Sequence, residues 1–445
     1  MRQDLTQGPI LGNIARFALP YMLSYFLQVL YGLADLFVIG RYGDVDGTTA
    51  VANGAQVMYM FTVIMIALSM GGTVSIAKSV GAKDDEARGR NIGQTLALFI
   101  RVSVVAMALL LVLRDGIISA IGTPAEAVEG TADYLTVCFA GVPFLVMYNV
   151  IASIFRGMGD TQRPMYFVAA ACVANIGLDF LFIGHFGLGP MGAALGTTIS
   201  QAMSLGLAIV YLRHHQEMTH LRWEHLRWDW KTVKGILKIG LPVAFQDGFI
   251  QLSFMLIMVI ANGRGVVDAA AVGIVEKFIG ILFIIPSAML ATVSTMAAQN
   301  IGADRRDRAL ATLRAATFIA VGFGVVIATA VQVRPEVIVG IFSDDAAVVA
   351  MGGGYLRGYV WDCALAGVHF CFSGYFTACG LSIISFAHNF AAIVTARLPL
   401  AYLASACYPT TLFPMGLATC VGSLESAVVC VVVFMVMRKR LGVRA

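Results

Sequence analysis

The chain has 445 residues, of which 59% are hydrophobic and only 13% are charged, and its formal net charge is +4. Because soluble domains usually carry about 25% charged residues, this composition excludes an ordinary soluble domain. Long apolar segments recur along the whole chain, and most exceed the ~20 residues needed to cross a bilayer. The sequence therefore predicts an all-α membrane protein, since the strands of an outer-membrane barrel would be short and alternating.

Twelve transmembrane helices are predicted between breaks that are polar or rich in Gly and Pro, such as GAKDDEARGR, RGMGDTQRP and GADRRDR. The predicted spans are 14–40, 49–77, 91–113, 128–156, 164–184, 189–212, 236–261, 269–297, 309–331, 350–378, 384–408 and 412–437. The start of the chain lacks the pattern of a cleaved signal peptide, so we expect the first apolar segment to be the first span.

The distribution of Lys and Arg predicts the orientation of these spans in the membrane. The loops after the even-numbered spans, together with the C-terminal tail, carry most of the basic residues. The loops on the opposite side hold only Arg41, Arg114, Arg264, Arg334 and Arg357. Since basic loops stay in the cytoplasm, we expect both termini to be cytoplasmic and the protein to lie in a bacterial or archaeal inner membrane.

The longest polar segment, 213–235, lies at the centre of the chain. It divides the sequence into a predicted N-terminal lobe, 1–212, and a predicted C-terminal lobe, 236–445, with six spans each. Its motif HLRWEHLRW spaces Leu and Trp among charged residues, which predicts an interfacial amphipathic helix in a cytoplasmic linker.

The two halves of the sequence resemble each other at an offset of about 221 residues. IARFALPYMLSYFLQ aligns with ILKIGLPVAFQDGFIQ, so that Pro20 falls on Pro242, and SVGAKDDEARGR aligns with NIGADRRDRAL. Because each half has an even number of spans, the repeats share one orientation and are related by an axis along the membrane normal. This arrangement is typical of transporters, in which two pseudo-symmetric bundles rock around a central cavity.

Several polar residues in the N-terminal half occupy equivalent depths in three different spans. Asp35 lies six residues before Arg41, Asp179 six before His185, and Thr197 six after Met191. At 1.5 Å per residue, each lies about 9 Å below the outer boundary. Tyr31 is one helical turn from Asp35, and Asn175 is one turn from Asp179. The spacing therefore predicts a single cluster of Tyr31, Asp35, Asn175, Asp179 and Thr197, here called the acidic cluster.

A charged Asp inside a membrane span costs about 2.5–3.5 kcal/mol. Two carboxylates in one pocket therefore either share a proton or hold a cation between them. Both outcomes predict a cation-coupling site, for H⁺ or for Na⁺; with Na⁺, the metal ligands would come from Asp35, Asn175, Asp179 and Thr197. The repeat positions of Asp35 and Asp179 are apolar in the second half, near Ile257 and Leu400. A structural role would be equally useful in both halves, so this asymmetry favours a dedicated site, although capping or local pairing is an alternative.

Five segments together resemble the multidrug and toxic compound extrusion (MATE) family, and the resemblance covers essentially the whole chain. They are ALPYMLSYFLQVLYGLADLFVIGRYG, VGAKDDEARGR, FRGMGDTQRP, NIGLDFLFIGHFGLGPMGAALGTTISQ and NIGADRRDRA. The resemblance implies two six-helix bundles around a central cavity and the exchange of H⁺ or Na⁺ for organic solutes, often amphipathic cations. Matched to the branch that includes DinF-type and archaeal members, it implies a coupling site at the acidic cluster and extends that site to Tyr134 and Asn149.

Asn149 fits this extended site less well, because the span count places it more than two turns deeper than Asp179.

Polar residues elsewhere in the spans are candidates for the substrate cavity: Gln28, Asn53, Gln246, Glu276, Asp362 and His369. The NorM branch uses acids in its seventh and tenth spans, but Asp247 and Asp362 are out of register with those positions. Asp362 and His369 share a helix face, which predicts either a hydrogen-bonded pair or a contact with substrate or proton.

The leading prediction is thus a cation-coupled antiporter that exports small organic compounds by alternating access. The alternative is a flippase for lipid-linked precursors of the same fold superfamily, although the cations within the spans are few: Arg101, Lys277 and Arg397. We expect no enzymatic activity, because neither GxSG nor HExxH accompanies the histidines in the spans. We also expect no cofactor and no nucleic-acid partner. The expected partners are a small-molecule substrate and membrane lipid, with the chain as a monomer.

Overall fold

A computed structural model describes residues 4–438, and in that range the chain forms helices joined by short loops, without strands. The first eight helices are α1 Ile10–Tyr42, α2 Val45–Gly81, α3 Asp85–Ala120, α4 Val128–Ala140, α5 Val142–Gly157, α6 Gln162–Asp179, α7 Gly189–His214 and α8 Gln216–Thr219. The next ten are α9 Trp230–Asn262, α10 Val266–Leu282, α11 Ile284–Gly302, α12 Arg306–Val333, α13 Pro335–Gly340, α14 Ala346–Tyr359, α15 Asp362–Ala378, α16 Ser382–Ala392, α17 Leu398–Cys407 and α18 Phe413–Met437.

The predicted all-α membrane fold is confirmed. In the described range, ten helical segments are long and apolar enough to cross a membrane, and α4 with α5 forms an eleventh that is bent by 51°. The remaining predicted span, 350–378, consists of the consecutive helices α14 and α15, of 14 and 17 residues. Several helices extend beyond their predicted spans, because capped ends such as Asp44 before α2 and Asp84 before α3 lie in the polar loops.

The described residues divide into two compact units. The first unit comprises residues 19–240, and the second comprises residues 4–18 and those from 241 onward. Both boundaries fall inside continuous helices, one residue before Pro20 in α1 and one residue before Pro242 in α9. In the second unit, Arg305 and Arg308 donate hydrogen bonds to the carbonyls of Thr6, Gln7 and Gly8, which attaches the N-terminal segment to the start of α12.

The sequence repeat is visible in the backbone at two equivalent turns. Lys83 and Asp304 both adopt a φ of 57°, in the left-handed region. At the first turn, the amide of Asp84 donates to the carbonyl of Ser79 at 3.0 Å; at the second, the amide of Arg305 donates to that of Asn300 at 2.7 Å. Each turn ends a helix that carries Gly at its last position, so the matched sequences GAKD and GADR fold identically.

The linker differs from its prediction as one amphipathic helix. Residues 213–235 contain the end of α7, the four-residue α8, a 3₁₀ turn at Trp223–Leu226 and the start of α9. His220, in the left-handed region with a φ of 49°, ends α8. The amide of Gln94 on α3 then donates to the carbonyls of His225 and Arg227, both at 2.6 Å, and its oxygen accepts from the amide of Asp229 at 2.9 Å. These bonds hold the segment against α3 as part of the first unit and leave no continuous helix.

Candidate functional site

The acidic cluster forms in the first unit where α1, α6 and α7 meet. Thr197 on α7 donates its hydroxyl to Oδ2 of Asp35 on α1 at 3.0 Å. Asp179, the last residue of α6, and Asn175, one turn earlier, adjoin Asp35. Asp35 is only 3% exposed and Asp179 is fully buried. The structure thus brings together Asp35, Asp179 and Thr197, which the sequence placed at similar depths on three spans, and Asn175, which was predicted one turn from Asp179 on the same span.

The acidic cluster contains more hydrogen-bonding capacity than the protein around it satisfies. Oδ1 of Asp35, both carboxylate oxygens of Asp179 and both amide atoms of Asn175 have no hydrogen-bond partner in residues 4–438. No Lys or Arg in that range forms a salt bridge with either carboxylate. Buried carboxylates are stable only when they are protonated, paired or bound to a cation. The donor set of carboxylate, amide and hydroxyl oxygens suits either H⁺ or Na⁺.

Gly196 allows Asp179 to approach α7, and the sequence analysis missed it. A Cβ atom at Gly196 would collide with Oδ1 of Asp179 and would lie 3.6 Å from Nδ2 of Asn175. Only glycine therefore fits this position with the carboxylate in place. The available signal was its location directly before Thr197, since a glycine beside a cluster residue indicates a close approach of another side chain.

A π turn follows Asp179 directly. Helix α6 ends at Asp179, and Phe180–His185 continues it as a π turn before the loop to α7. Such turns widen the helix locally and are frequent at functional sites. Sequence periodicity does not reveal them, because the apolar pattern of FLFIGH is the same in either kind of helix.

Tyr31 extends the contact between α1 and α7 by one turn. Gln201 donates its amide to the hydroxyl oxygen of Tyr31 at 2.9 Å. Asp35 with Tyr31 on α1 and Thr197 with Gln201 on α7 are both i,i+4 pairs, so two hydrogen bonds connect the helices one turn apart. Gln201 was also missed, although its spacing from Thr197 was readable in the sequence.

Tyr134 and Asn149, which only the resemblance assigned to the coupling site, have different surroundings. Tyr134 is 2% exposed, lies near Asp35 and Tyr31, and has its ring against Gly54, where a Cβ would collide with it. Asn149 instead donates its amide to the carbonyl of Leu145 on its own helix at 2.9 Å. The structure therefore places Tyr134 beside the acidic cluster and Asn149 in the wall of two cavities.

These two adjoining cavities lie within the first unit. The Arg156 cavity, about 450 Å³, is lined by Tyr21, Ser24, Tyr25, Gln28, Ile66, Tyr148, Asn149, Ala152, Arg156, Thr161, Pro164 and Val168. The Tyr31 cavity, about 340 Å³, is lined by Gln28, Tyr31, Thr62, Leu145, Tyr148, Asn149, Val168, Ala171, Gln201 and Ser204. Gln28 lines both cavities, whereas Asn53, half-buried on α2, lines neither. Tyr31 and Gln201 thus separate this cavity system from Asp35.

The second unit contains a different buried cluster, here called the Arg397 cluster. Glu276 on α10 accepts a hydrogen bond from the hydroxyl of Tyr355 at 3.1 Å, and Arg397 donates to the hydroxyl oxygen of Tyr359 at 3.0 Å. Asp362 is 1% exposed, lies near Arg397, and has no hydrogen-bond partner in the described range. The Arg397 cluster therefore combines two carboxylates with a built-in cation.

The other candidate residues of the second unit lie apart from this cluster. His369 packs edge-on against His388, with ring centroids 6.0 Å apart, so the predicted hydrogen-bonded pair of Asp362 and His369 does not form. The reason is that His388 and Phe370 surround the imidazole of His369. Gln246 is 1% exposed, and its amide donates to Oδ1 of Asp247 at 3.5 Å.

Curated proteins of similar sequence cover most of the chain. The probable multidrug resistance protein YoeA of Bacillus subtilis is 26% identical over 372 residues, which are 82% of this chain and 80% of that protein. The probable multidrug resistance protein NorM of Thermotoga maritima is 27% identical over 399 residues, 88% of this chain and 85% of that protein. The multidrug export protein MepA of Staphylococcus aureus is 24% identical over 374 residues, 84% of this chain and 83% of that protein.

Solved structures share the fold. An outward-facing multidrug resistance MATE family transporter matches with a TM-score of 0.90 at 21% identity, over 98% of this chain and 97% of the other. A MOP superfamily transporter from Pyrococcus furiosus matches with a TM-score of 0.88 at 22% identity, over 99% and 97%. The MatE family model matches the chain twice, at residues 20–181 and 242–403, so the two matches begin at the aligned Pro20 and Pro242. The chain therefore belongs to the MatE family, the multidrug and toxic compound extrusion family that its sequence resembles.

Proposed function

We propose that this protein is a cation-coupled antiporter that exports small organic compounds, and that the acidic cluster binds the coupling ion. The observation that carries the proposal is the pair Asp35 and Asp179, which are buried together with unpaired oxygens and without a salt bridge to any Lys or Arg of residues 4–438. A site of this kind gains stability by binding H⁺ or Na⁺ and loses it on release. The names of the related multidrug resistance and export proteins support the same activity.

Ion binding in the acidic cluster would act on the cavities through Tyr31 and Gln201. When a cation or proton is bound, repulsion between Asp35 on α1 and Asp179 on α6 falls, so α1 can pack more closely where it meets α6 and α7. Because Asp35 and Tyr31 lie one turn apart on α1, a shift at Asp35 moves the Tyr31 side of the cavity wall. One charge crossing 100 mV supplies about 2.3 kcal/mol, which shifts a two-state equilibrium about fiftyfold, less than the ~10⁴-fold that a complete conversion needs.

The proposal includes the predicted setting of the protein. We expect both termini in the cytoplasm, an inner membrane location in a bacterium or archaeon, and a monomeric transporter without enzymatic activity. Amphipathic organic cations are the expected substrates, and their affinity for the protein should depend on aromatic and amide side chains of the cavities such as Tyr148 and Gln28.

One observation favours the alternative of a lipid-linked precursor flippase. Such a protein needs basic side chains that hold phosphate groups, and Arg156 lines the larger cavity. The span cations identified in the sequence do not serve this purpose in the first unit: Arg101 lies over the ring of Trp228 at 4.3 Å. A single arginine is a weak diphosphate site, so export remains the function that we propose.

The deciding experiment is uptake of a labelled organic cation into proteoliposomes under an imposed pH or Na⁺ gradient, each applied separately. We expect one gradient to drive transport and Asp35→Asn to abolish the driven component without loss of folded protein. Asp133→Asn, which removes an exposed carboxylate from α4, is the matched control and should transport normally. Driven transport that persists in Asp35→Asn would refute the acidic cluster as the coupling site. Transport that no gradient drives, with lipid-linked substrates flipped instead, would support the alternative.

A further inference from the structure

Arg156 is the only charged side chain among the residues that line the Arg156 cavity. It lies in the last turn of α5 and is half-buried. The other lining residues are aromatic, neutral polar or aliphatic, and none of them is a carboxylate. A cavity with this composition repels a cationic group and favours an anionic one.

The guanidinium of Arg156 lacks the partners that most arginines of the described range have. It lies over the ring of Tyr21 at 5.6 Å, and no hydrogen bond or salt bridge involves it within residues 4–438. Arg163 on the neighbouring α6 offers a contrast, since it forms a salt bridge with Asp160 and lies over Tyr211 at 4.9 Å. Guanidinium groups present planar, paired donors that match carboxylate or phosphate oxygens.

Aromatic rings of fixed orientation stand beside this unpaired charge. The hydroxyl of Tyr148 donates to the carbonyl of Pro164 at 3.0 Å, and the hydroxyls of Tyr25 and Tyr59 lie 3.1 Å apart. These bonds hold the rings of Tyr148 and Tyr25 in the cavity wall, where each offers an apolar face. The cavity therefore combines one anion-binding group with stacking surfaces for a flat molecule.

We propose that Arg156 is an anion subsite of the transported substrate, which binds the carboxylate or phosphate of an aromatic compound whose rings pack against Tyr21, Tyr25 and Tyr148. This inference rests on the proposed function and extends its substrate class from simple cations to compounds that carry an acidic group. A zwitterionic aromatic compound fits the two cavities together. Its acidic group would bind Arg156, and its positive group would lie beside Gln28 and Tyr31, toward the acidic cluster.

The test compares a rhodamine that has a free carboxylate with its methyl ester, which has the same rings and cation but no anionic group. Binding is measured by fluorescence polarisation to the full chain in phosphatidylcholine nanodiscs. We expect the free acid to bind more tightly, and Arg156→Gln to weaken its binding about tenfold, the scale of a charge-assisted hydrogen bond. Binding of the ester should not change. Arg156→Lys should retain part of the preference, and Arg163→Gln, which removes a paired arginine, should retain all of it.

Three outcomes would overturn the inference. If Arg156→Gln weakens binding of the acid and the ester equally, or weakens neither, Arg156 does not bind the acidic group. Loss of the preference when phosphatidylglycerol is included in the nanodiscs would assign the arginine to a lipid headgroup. Gradient-driven transport of the ester, measured with the same purified variants in proteoliposomes, reports separately on the proposed export function, so either hypothesis can fail without the other.

Discussion

The two units hold buried carboxylates in opposite electrostatic settings. In the first unit, Asp35 and Asp179 adjoin each other with the neutral side chains of Thr197 and Asn175. In the second unit, Glu276 and Asp362 lie near Arg397. The two family matches begin at residues 20 and 242. When both repeats are numbered from these starts without gaps, Arg397 is equivalent to Asn175. Where the first unit has an amide, its repeat has a permanent positive charge.

Under the proposed function, this difference predicts that only the first unit takes up a cation from solution. The Arg397 cluster carries its cation as a side chain, which cannot leave, so its carboxylates are expected to contribute to structure and not to exchange. Among the described residues the acidic cluster has no such side chain, so the proposed H⁺ or Na⁺ would keep its carboxylates buried. The comparison is therefore consistent with one coupling site in two similar repeats.

The largest expected effect comes from removing the built-in cation. Arg397→Gln leaves the buried carboxylate of Asp362 and the half-buried carboxylate of Glu276 without a nearby cation, which should lower the free energy of unfolding by about 3 kcal/mol. Asn175→Ala removes the repeat-equivalent side chain but no charge, and should cost about 1 kcal/mol. Chemical denaturation of the purified protein in detergent measures both. The double variant Arg397→Gln with Asp362→Asn should recover part of the loss; no recovery would mean that the charges do not interact.

A second, intermediate effect tests the close approach of Asp179 to α7. Gly196→Ala inserts a methyl group against Oδ1 of Asp179 and should weaken binding of the coupling ion by about tenfold, at a folding cost of about 1–3 kcal/mol. Gly206→Ala, at an open position on the same helix, is the control and should be neutral or slightly stabilising. In the second unit, Gly422→Ala meets Cβ of Arg397 at 3.1 Å and should leave ion coupling unchanged.

Ion titrations of transport rate in proteoliposomes distinguish these three glycine variants. If Gly206→Ala and Gly196→Ala weaken coupling equally, general helix stiffening explains the effect and the position of Asp179 does not.

The smallest expected loss of stability is that of Tyr31→Phe, which is compared with Tyr355→Phe in the second unit. Tyr355→Phe removes a donor to the carboxylate of Glu276 and should destabilise the protein by about 1.5–3 kcal/mol. Tyr31→Phe removes a neutral bond from Gln201 and should cost only about 1 kcal/mol, yet slow coupled transport. Thermal unfolding measures the loss of stability in each variant, and parallel transport assays measure the loss of coupled transport. A Tyr31→Phe variant with normal transport would show that the contact between Tyr31 and Gln201 does not carry the coupling.

Much of this arrangement could be read from the sequence, because helical spacing is regular. The i,i+4 pairs of Asp35 with Tyr31 and Asp179 with Asn175, together with equal depths, were enough to predict that these residues lie together. Gly196 was not predicted, since its importance depends on a contact from another helix. Arg156 was not predicted as a site residue, because its place at the end of the predicted span 128–156 does not show that it lines a cavity. The linker was read as one helix because its Leu and Trp spacing does not show that Gln94 binds its backbone.

The boundaries between the units lie inside helices α1 and α9, beside Pro20 and Pro242. A proline has no amide hydrogen to donate, so the helix lacks one backbone bond at that turn. Each of these two helices is therefore easier to bend at its proline turn. Under the proposed function, replacing either proline would stiffen its helix without changing a residue of the acidic cluster, and is expected to slow transport while the affinity for the coupling ion stays unchanged.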